Sequence, residues 1–215
     1  ASFGANLGYN FLTFVFTGVL AQTMFTSTAQ GVISLVQDRE NDFSRELFVA
    51  PVSRYAIVIG KIIGESFVSL TQAIGVVLFG FIIGVPLSFF KLIELLPILL
   101  MISFMGGAFG IMVLANLGTQ RTANQIFPFI IFPQFFLAGV FNPITHLPLY
   151  LAIFSRLAPL TYAVDFLRSI FFYGAPEYSK IVLFSPVTNA LILIFASLVF
   201  LFFGTYLFAR SERNR

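Results

Sequence analysis

The chain has 215 residues, of which 58% are hydrophobic and only 10% charged, with a formal net charge of +3. A soluble domain covers its surface with about 25% charged residues, so this composition excludes a self-solvating globular protein and indicates an integral membrane protein. Cysteine is absent and His146 is the single histidine, which excludes disulfides, thiolate catalysis, cysteine-ligated metal and a multi-histidine site.

Charged residues divide the chain into uncharged runs at 1–37, 66–90, 95–120, 122–155 and 181–209. Each exceeds the roughly 20 residues that a helix needs to cross ~30 Å of hydrocarbon. Segments such as Leu191–Ala196 do not alternate polar and apolar residues, as barrel strands would, so the spans are helices. Five are predicted, at about 11–36, 56–84, 93–117, 124–141 and 187–209. The first has a polar side with Gln22, Thr23, Thr26, Ser27, Thr28 and Gln30, and the second has Ser69, Thr71 and Gln72. Gln22, Thr26, Gln30, Ser69 and Gln72 are the candidate pathway-lining residues.

Between the first two spans the character changes. Seven of the 21 Lys, Arg, Asp and Glu residues lie between Asp38 and Arg54. Phe43, Leu47 and Phe48 are about one helical turn apart and form an apolar face; Asp42, Arg45, Glu46 and Glu40 form a charged one. Pro51 stops this helix, and Ser53 is placed to cap the next. Spacing alone leaves two readings open, a docking helix and a solvated turn whose arginines hold the topology. Lys61 and Glu65, four apart just inside the second span, are placed to pair or to snorkel to the interface. Small-residue spacings at Gly60/Gly64, Gly80/Gly84 and Gly106/Gly110 allow close helix approach.

The segment 142–186 is long, apolar and punctuated by Pro143, Pro148, Pro159, Pro176 and Pro186. Leu149–Leu157 and Thr161–Tyr173 read as two short helices, too short to span and expected to dip into the membrane as a hairpin. Asp165 and Arg168, three apart, are expected to pair locally and support it.

With 37–55, 118–123 and the C-terminal tail on one side, together with Lys61 just inside the second span, that side holds eight Lys and Arg, against four opposite. The positive side is cytoplasmic, so 142–186 is external. Residue 1 then lies outside, and the chain reads as an N-terminally truncated fragment that lacks an earlier span.

No span holds paired carboxylates or a Ser–His pair, and no metal site is expected, so the chain is not an enzyme by itself. No span has a charge at its centre, which disfavours an ion-driven carrier. A transporter built this way draws its energy from another subunit.

Asp38-Arg39-Glu40, then Glu46-Leu47-Phe48-Val49-Ala50-Pro51-Val52-Ser53-Arg54, then Gly60-Lys61 resemble the cytoplasmic connector of the ABC transporter type-2 permease family. The resemblance is to its drug-resistance and nodulation-factor exporter branch. Phe136-Leu137-Ala138-Gly139-Val140-Phe141-Asn142-Pro143 and Ala158-Pro159-Leu160-Thr161-Tyr162-Ala163-Val164-Asp165, with Leu167-Arg168, resemble the region between the family's last two spans. The family's first span has no counterpart here. Asp42 and Ser44 depart from the family's common glycine and apolar residue.

The resemblance implies an all-α polytopic membrane fold: about five transmembrane helices, a short cytoplasmic coupling helix and an external re-entrant hairpin. It implies one permease domain over 1–215, with the coupling segment at 37–55 and the hairpin at 142–186. It implies docking of Arg39, Glu40, Arg45, Glu46 and Arg54 on a separate ABC ATPase subunit, with Phe43, Leu47 and Phe48 as the coupling helix's apolar face. The implied function is an ATP-driven exporter of an amphiphilic or glycan/lipid-type substrate. It would work as a homodimer or with a related permease among membrane lipids, with no nucleic-acid partner. The chain has no GxxxxGK[ST] loop, so ATP and magnesium belong to the partner and no cofactor to this chain. The expected location is the cell inner (plasma) membrane, with a plastid membrane as the alternative. A non-transporting scaffold or assembly subunit, or a secondary carrier, are the competing functions.

Overall fold

The computed structural model describes residues 9–40, 53–144 and 148–213. The described residues are helical, with no strand among them: α1 (Phe11–Gly31), α2 (Ser34–Glu40), α3 (Arg54–Ile82), α4 (Phe89–Leu114), α5 (Gln120–Leu137), α6 (Leu149–Leu157), α7 (Pro159–Phe171), α8 (Tyr178–Ile181) and α9 (Pro186–Arg213).

The helix starts are written in local chemistry. Asn10, Ser53, Ser88 and Thr119 are N-caps, and each side chain accepts from the backbone N–H three residues on. The expected Ser53 cap forms, at 3.1 Å to Ala56 N. Each such bond satisfies one of the four N–H groups that a helix start leaves without an internal partner.

Packing centres on α4, which touches α1, α3, α7 and α9. A Cβ on Gly106 would overlap the Phe25 carbonyl oxygen, and one on Gly110 would lie 2.6 Å from Ala29 O. This glycine pair therefore lets α4 meet the backbone of α1 directly, as the spacing predicted. Gly60 and Gly64 have nothing within 4 Å, so the same spacing on α3 faces open space. Inside the bundle Thr28, Ser103 and Ser69 form a hydroxyl chain that joins α1, α4 and α3. The outer face of α3 presents Phe67, Ile74, Leu78 and Ile82. Apolar side chains directed away from the core suit a helix surrounded by lipid.

Four stretches are long and apolar enough to cross a membrane: Phe11–Asp38, Arg54–Ile82, Phe89–Leu114 and Tyr178–Ser211. The fifth expected span corresponds to α5, which falls short by composition. Its 18 residues include Gln120, Arg121, Thr122, Asn124, Gln125 and Gln134, with Pro128 and Pro133 inside the helix. Its rise is nonetheless about 27 Å. It starts beside Glu40 and ends at a turn beside Arg168, so it runs the full depth of the bundle.

Residues 149–171 are broken at Ala158, whose ψ of 118° is extended. The second short helix starts two residues earlier than expected, because Pro159 occupies its first turn, where a missing N–H costs nothing. The two halves differ sharply. Only Ser155 is buried in α6, whereas ten residues of α7 are buried against α1, α4 and α9.

Candidate functional site

Two polar centres sit at opposite ends of the bundle. The first is built on α7. Arg168 is 3% exposed, and its guanidinium leaves its own helix to reach α1. Nη2 donates to the carbonyl oxygens of Phe14 and Val140, each at 3.2 Å, and Nε lies 3.5 Å from Thr17 Oγ1. The guanidinium carbon also lies 3.6 Å from the centre of the Phe14 ring. The approach requires Gly18: a Cβ there would meet Val140 O at 2.5 Å and Arg168 Nη2 at 3.0 Å. One cation therefore holds together α1, α7 and the turn after α5.

Asp165 turns the other way. Its Oδ1 accepts from Leu183 N at 2.8 Å; its Oδ2 accepts from Phe184 N at 2.9 Å and from Asn189 Nδ2 at 2.7 Å. These bonds fix the loop into α9 and the first turn of α9 itself. Burial pushes the carboxyl above its ordinary range, opposed by Asn189, the two amides and the Arg168 charge. Burial likewise pulls the Arg168 guanidinium down to about 9, which leaves it charged at neutral pH. The expected local pairing is not what forms, since Asp165 and Arg168 make no ion pair within 4.0 Å. Each bonds instead to other elements, because α7 lies between α1 and α9 and its i and i+3 positions point to different neighbours. Asn189 and Thr17 were missed at the sequence level. The only available signal was that each is polar within an apolar run.

The second centre is at the connector end. Phe43, Arg45, Glu46, Leu47 and Phe48 lie outside the described residues, as does the side chain of Arg39. The two remaining predicted docking residues are described, and both bond within the chain. Glu40 Oε2 accepts from Gln120 N, the first residue of α5, at 2.8 Å. Arg54 Nη1 donates to Ala209 O of α9 at 2.8 Å. The expected Lys61–Glu65 pair forms at 2.8 Å, and Glu65 packs against Gly31 where α1 ends.

The candidate pathway residues separate. Ser69 is fully buried and bonded to Ser103 at 2.7 Å, so it serves packing inside the chain and lines no open surface. Gln72 is exposed on α3, and Gln22 and Thr26 are half-buried on the more open side of α1. Gln22 Oε1 and Thr26 Oγ1 have no hydrogen-bond partner. Gln30 opens onto a groove of about 370 Å³ between the α1–α2 corner and α5, lined with Ser34, Gln120, Asn124 and Phe127. No group of three or more His, Cys, Asp and Glu is placed to hold a metal among the described residues.

Long apolar helices, lipid-type outer faces and charges gathered at the two ends define a multi-pass membrane protein. Residues 3–172 match the family described as ABC-2 type transporter, and the chain belongs to that family. It is similar to a protein named as a transport permease, ycf38, of Cyanophora paradoxa: 29% identical over 178 residues, covering 82% of this chain and 61% of that protein. The protein of the same name from Porphyra purpurea is 26% identical over 171 residues, covering 79% of this chain and 58% of that one. ABC transporter G family member 20 of Dictyostelium discoideum is 24% identical over 215 residues, covering 98% of this chain and 28% of that protein. The chain thus spans less than two thirds of the length of each relative.

Proposed function

We propose that this chain is the membrane permease part of an ATP-driven exporter whose ATPase resides in a separate subunit. The observation that carries the reading is the family match over 3–172, together with a sequence in which no predicted span has a charge at its centre to couple an ion gradient. Two copies, or this chain and a related permease, would enclose a pathway. Gln30 and the groove beside α5 supply a neutral polar wall for it, with the half-buried Gln22 and Thr26 further along α1. Such a wall suits an amphiphilic or glycan/lipid-type substrate moving out of the cytoplasm. ATP binding closes the ATPase subunits, and the docked 37–55 segments pass that motion to the spans. Arg39, Arg45 and Glu46 are the docking charges, with Glu40 and Arg54 at the margins. The hairpin then lies at the outer end and seals the pathway at rest. The membrane is the cell inner membrane or that of a plastid.

The test is reconstitution of the full-length protein with its ATPase in liposomes. ATP-dependent movement of a labelled amphiphile supports the reading. An ATPase that never copurifies, with transport driven instead by an ion gradient, would sink it. Labelling of a Ser44→Cys protein by an impermeant reagent from outside intact cells would overturn the orientation.

A further inference from the structure

We propose that Glu40 and Arg54 are positioning residues that tie the two ends of the connector to α5 and α9, helices with which it is not continuous. A pull on the connector would then move four helices rather than two. The functional part of this inference rests on the permease reading above; its structural part does not.

Glu40 closes α2, and the N–H it accepts belongs to Gln120, 80 residues away at the first position of α5. That helix start already uses the Thr119 hydroxyl for Thr122 N, and Glu40 takes a second N–H that the helix leaves without an internal partner. Arg54 opens α3, and the carbonyl it reaches is in the last turns of α9, 155 residues away. Both bonds have the favourable sign. A carboxylate meets the positive end of one helix dipole, and a guanidinium meets the negative end of another. Each bond also falls where helix packing is thin, since α2 with α5 and α3 with α9 touch over much shorter lengths than α1 with α4. Glu40 is exposed, so its bond is weakened by salt and reversible. Gln120 also lines the groove with Gln30, Ser34 and Asn124. Displacing Glu40 therefore changes the hold of α2 on one wall of that groove.

The bond can be removed from the far side without touching the connector. Gln120→Pro deletes the donor at a helix position where proline is tolerated, and Thr119, at φ −136° and ψ 150°, already has the extended backbone that precedes a proline. In the full-length protein freed of other cysteines, spin labels on Gln37→Cys and Arg121→Cys report the α2–α5 distance. Glu40→Ala and Gln120→Pro should each broaden and lengthen that distance. Gln120→Ala, which keeps the N–H, should not, and Glu40→Gln, which keeps an acceptor oxygen, should fall between. With the ATPase bound, the first two variants should lower substrate moved per ATP by at least about fivefold, the lower end of typical coupling free energies. Gln120→Pro, which leaves every docking charge in place, should still copurify with the ATPase. Arg54→Lys should retain more transport per ATP than Arg54→Ala.

An unchanged distance in Glu40→Ala, or in a Gln120→Pro protein that inserts normally, overturns the tie. Loss of the ATPase at unchanged distance also overturns it and makes Glu40 a docking contact. A longer distance with unchanged transport per ATP removes the functional part. A wild-type protein that neither retains an ATPase nor transports would refute the permease reading, while the distance measurement would still decide the tie.

Discussion

The hairpin end and the connector end both use charge to join distant helices, but under opposite solvation. At the hairpin end Arg168 and Asp165 are 3% exposed and each makes three bonds to other elements. Truncating either strands buried polar groups, which is strongly unfavourable. At the connector end the exposed Glu40 reaches one backbone group at a helix start, where a charge contributes about 0.3–1 kcal/mol, and the half-buried Arg54 has Ala209 O of α9 among its contacts. The first kind of contact fixes a geometry. The second biases one and remains reversible. On the permease reading proposed above, that asymmetry gives a firm far end and a compliant driven end.

The comparison can be broken most sharply at Arg168. Arg168→Ala strands the Phe14 and Val140 carbonyls and should cost about 1–3 kcal/mol for each, seen as a large fall in thermal stability of the detergent-solubilised protein. Arg168→Lys should recover only part of it, because an ammonium cannot keep the planar fork that serves Phe14 O, Val140 O and Thr17. A small loss for Arg168→Ala would mean that the hairpin end is no firmer than the other.

Next in size is Gly18→Ala. Its new methyl would meet Val140 O at 2.5 Å, and overpacking of this kind costs about 1–3 kcal/mol. The same substitution at Gly64, where nothing lies within 4 Å, should be neutral or slightly stabilising through helix propensity. Equal effects at the two sites would refute the close approach at Gly18.

Asp165→Asn keeps one acceptor oxygen and should cost about 1–3 kcal/mol. Proteolysis within 174–185 should rise, since Asp165 holds the amides of Leu183 and Phe184. Unchanged proteolysis would leave the loop fixed by other contacts.

The smallest effect sharpens the contrast. Glu40→Ala should change thermal stability by about 1 kcal/mol or less, and the difference from wild type should shrink further at high salt. A loss as large as that of Arg168→Ala would place both ends in one energetic class.

Much of this architecture was legible in the sequence because bilayer physics is severe. Long uncharged runs must be helices, since an unsatisfied backbone group in hydrocarbon costs several kcal/mol. The Ser53 cap, the Lys61–Glu65 pair, the helix Leu149–Leu157 and the Gly106/Gly110 contact all depend on neighbours a few residues apart or on a single helix face. Tertiary structure alone decided which partner each polar group takes. Asp165 and Arg168 are adjacent on a helix, and local spacing favours pairing them. The bundle instead offers Asp165 two free amides and an asparagine, and offers Arg168 two carbonyls and a ring. Ser69 and Gln72 both read as polar positions on one span, yet three-dimensional packing buried the first against Ser103 and left the second exposed. Hydropathy and spacing are properties of a segment and survive in one dimension. The partner of a buried charge is set by which helices converge on it, and those helices are separated in the chain by up to 154 residues.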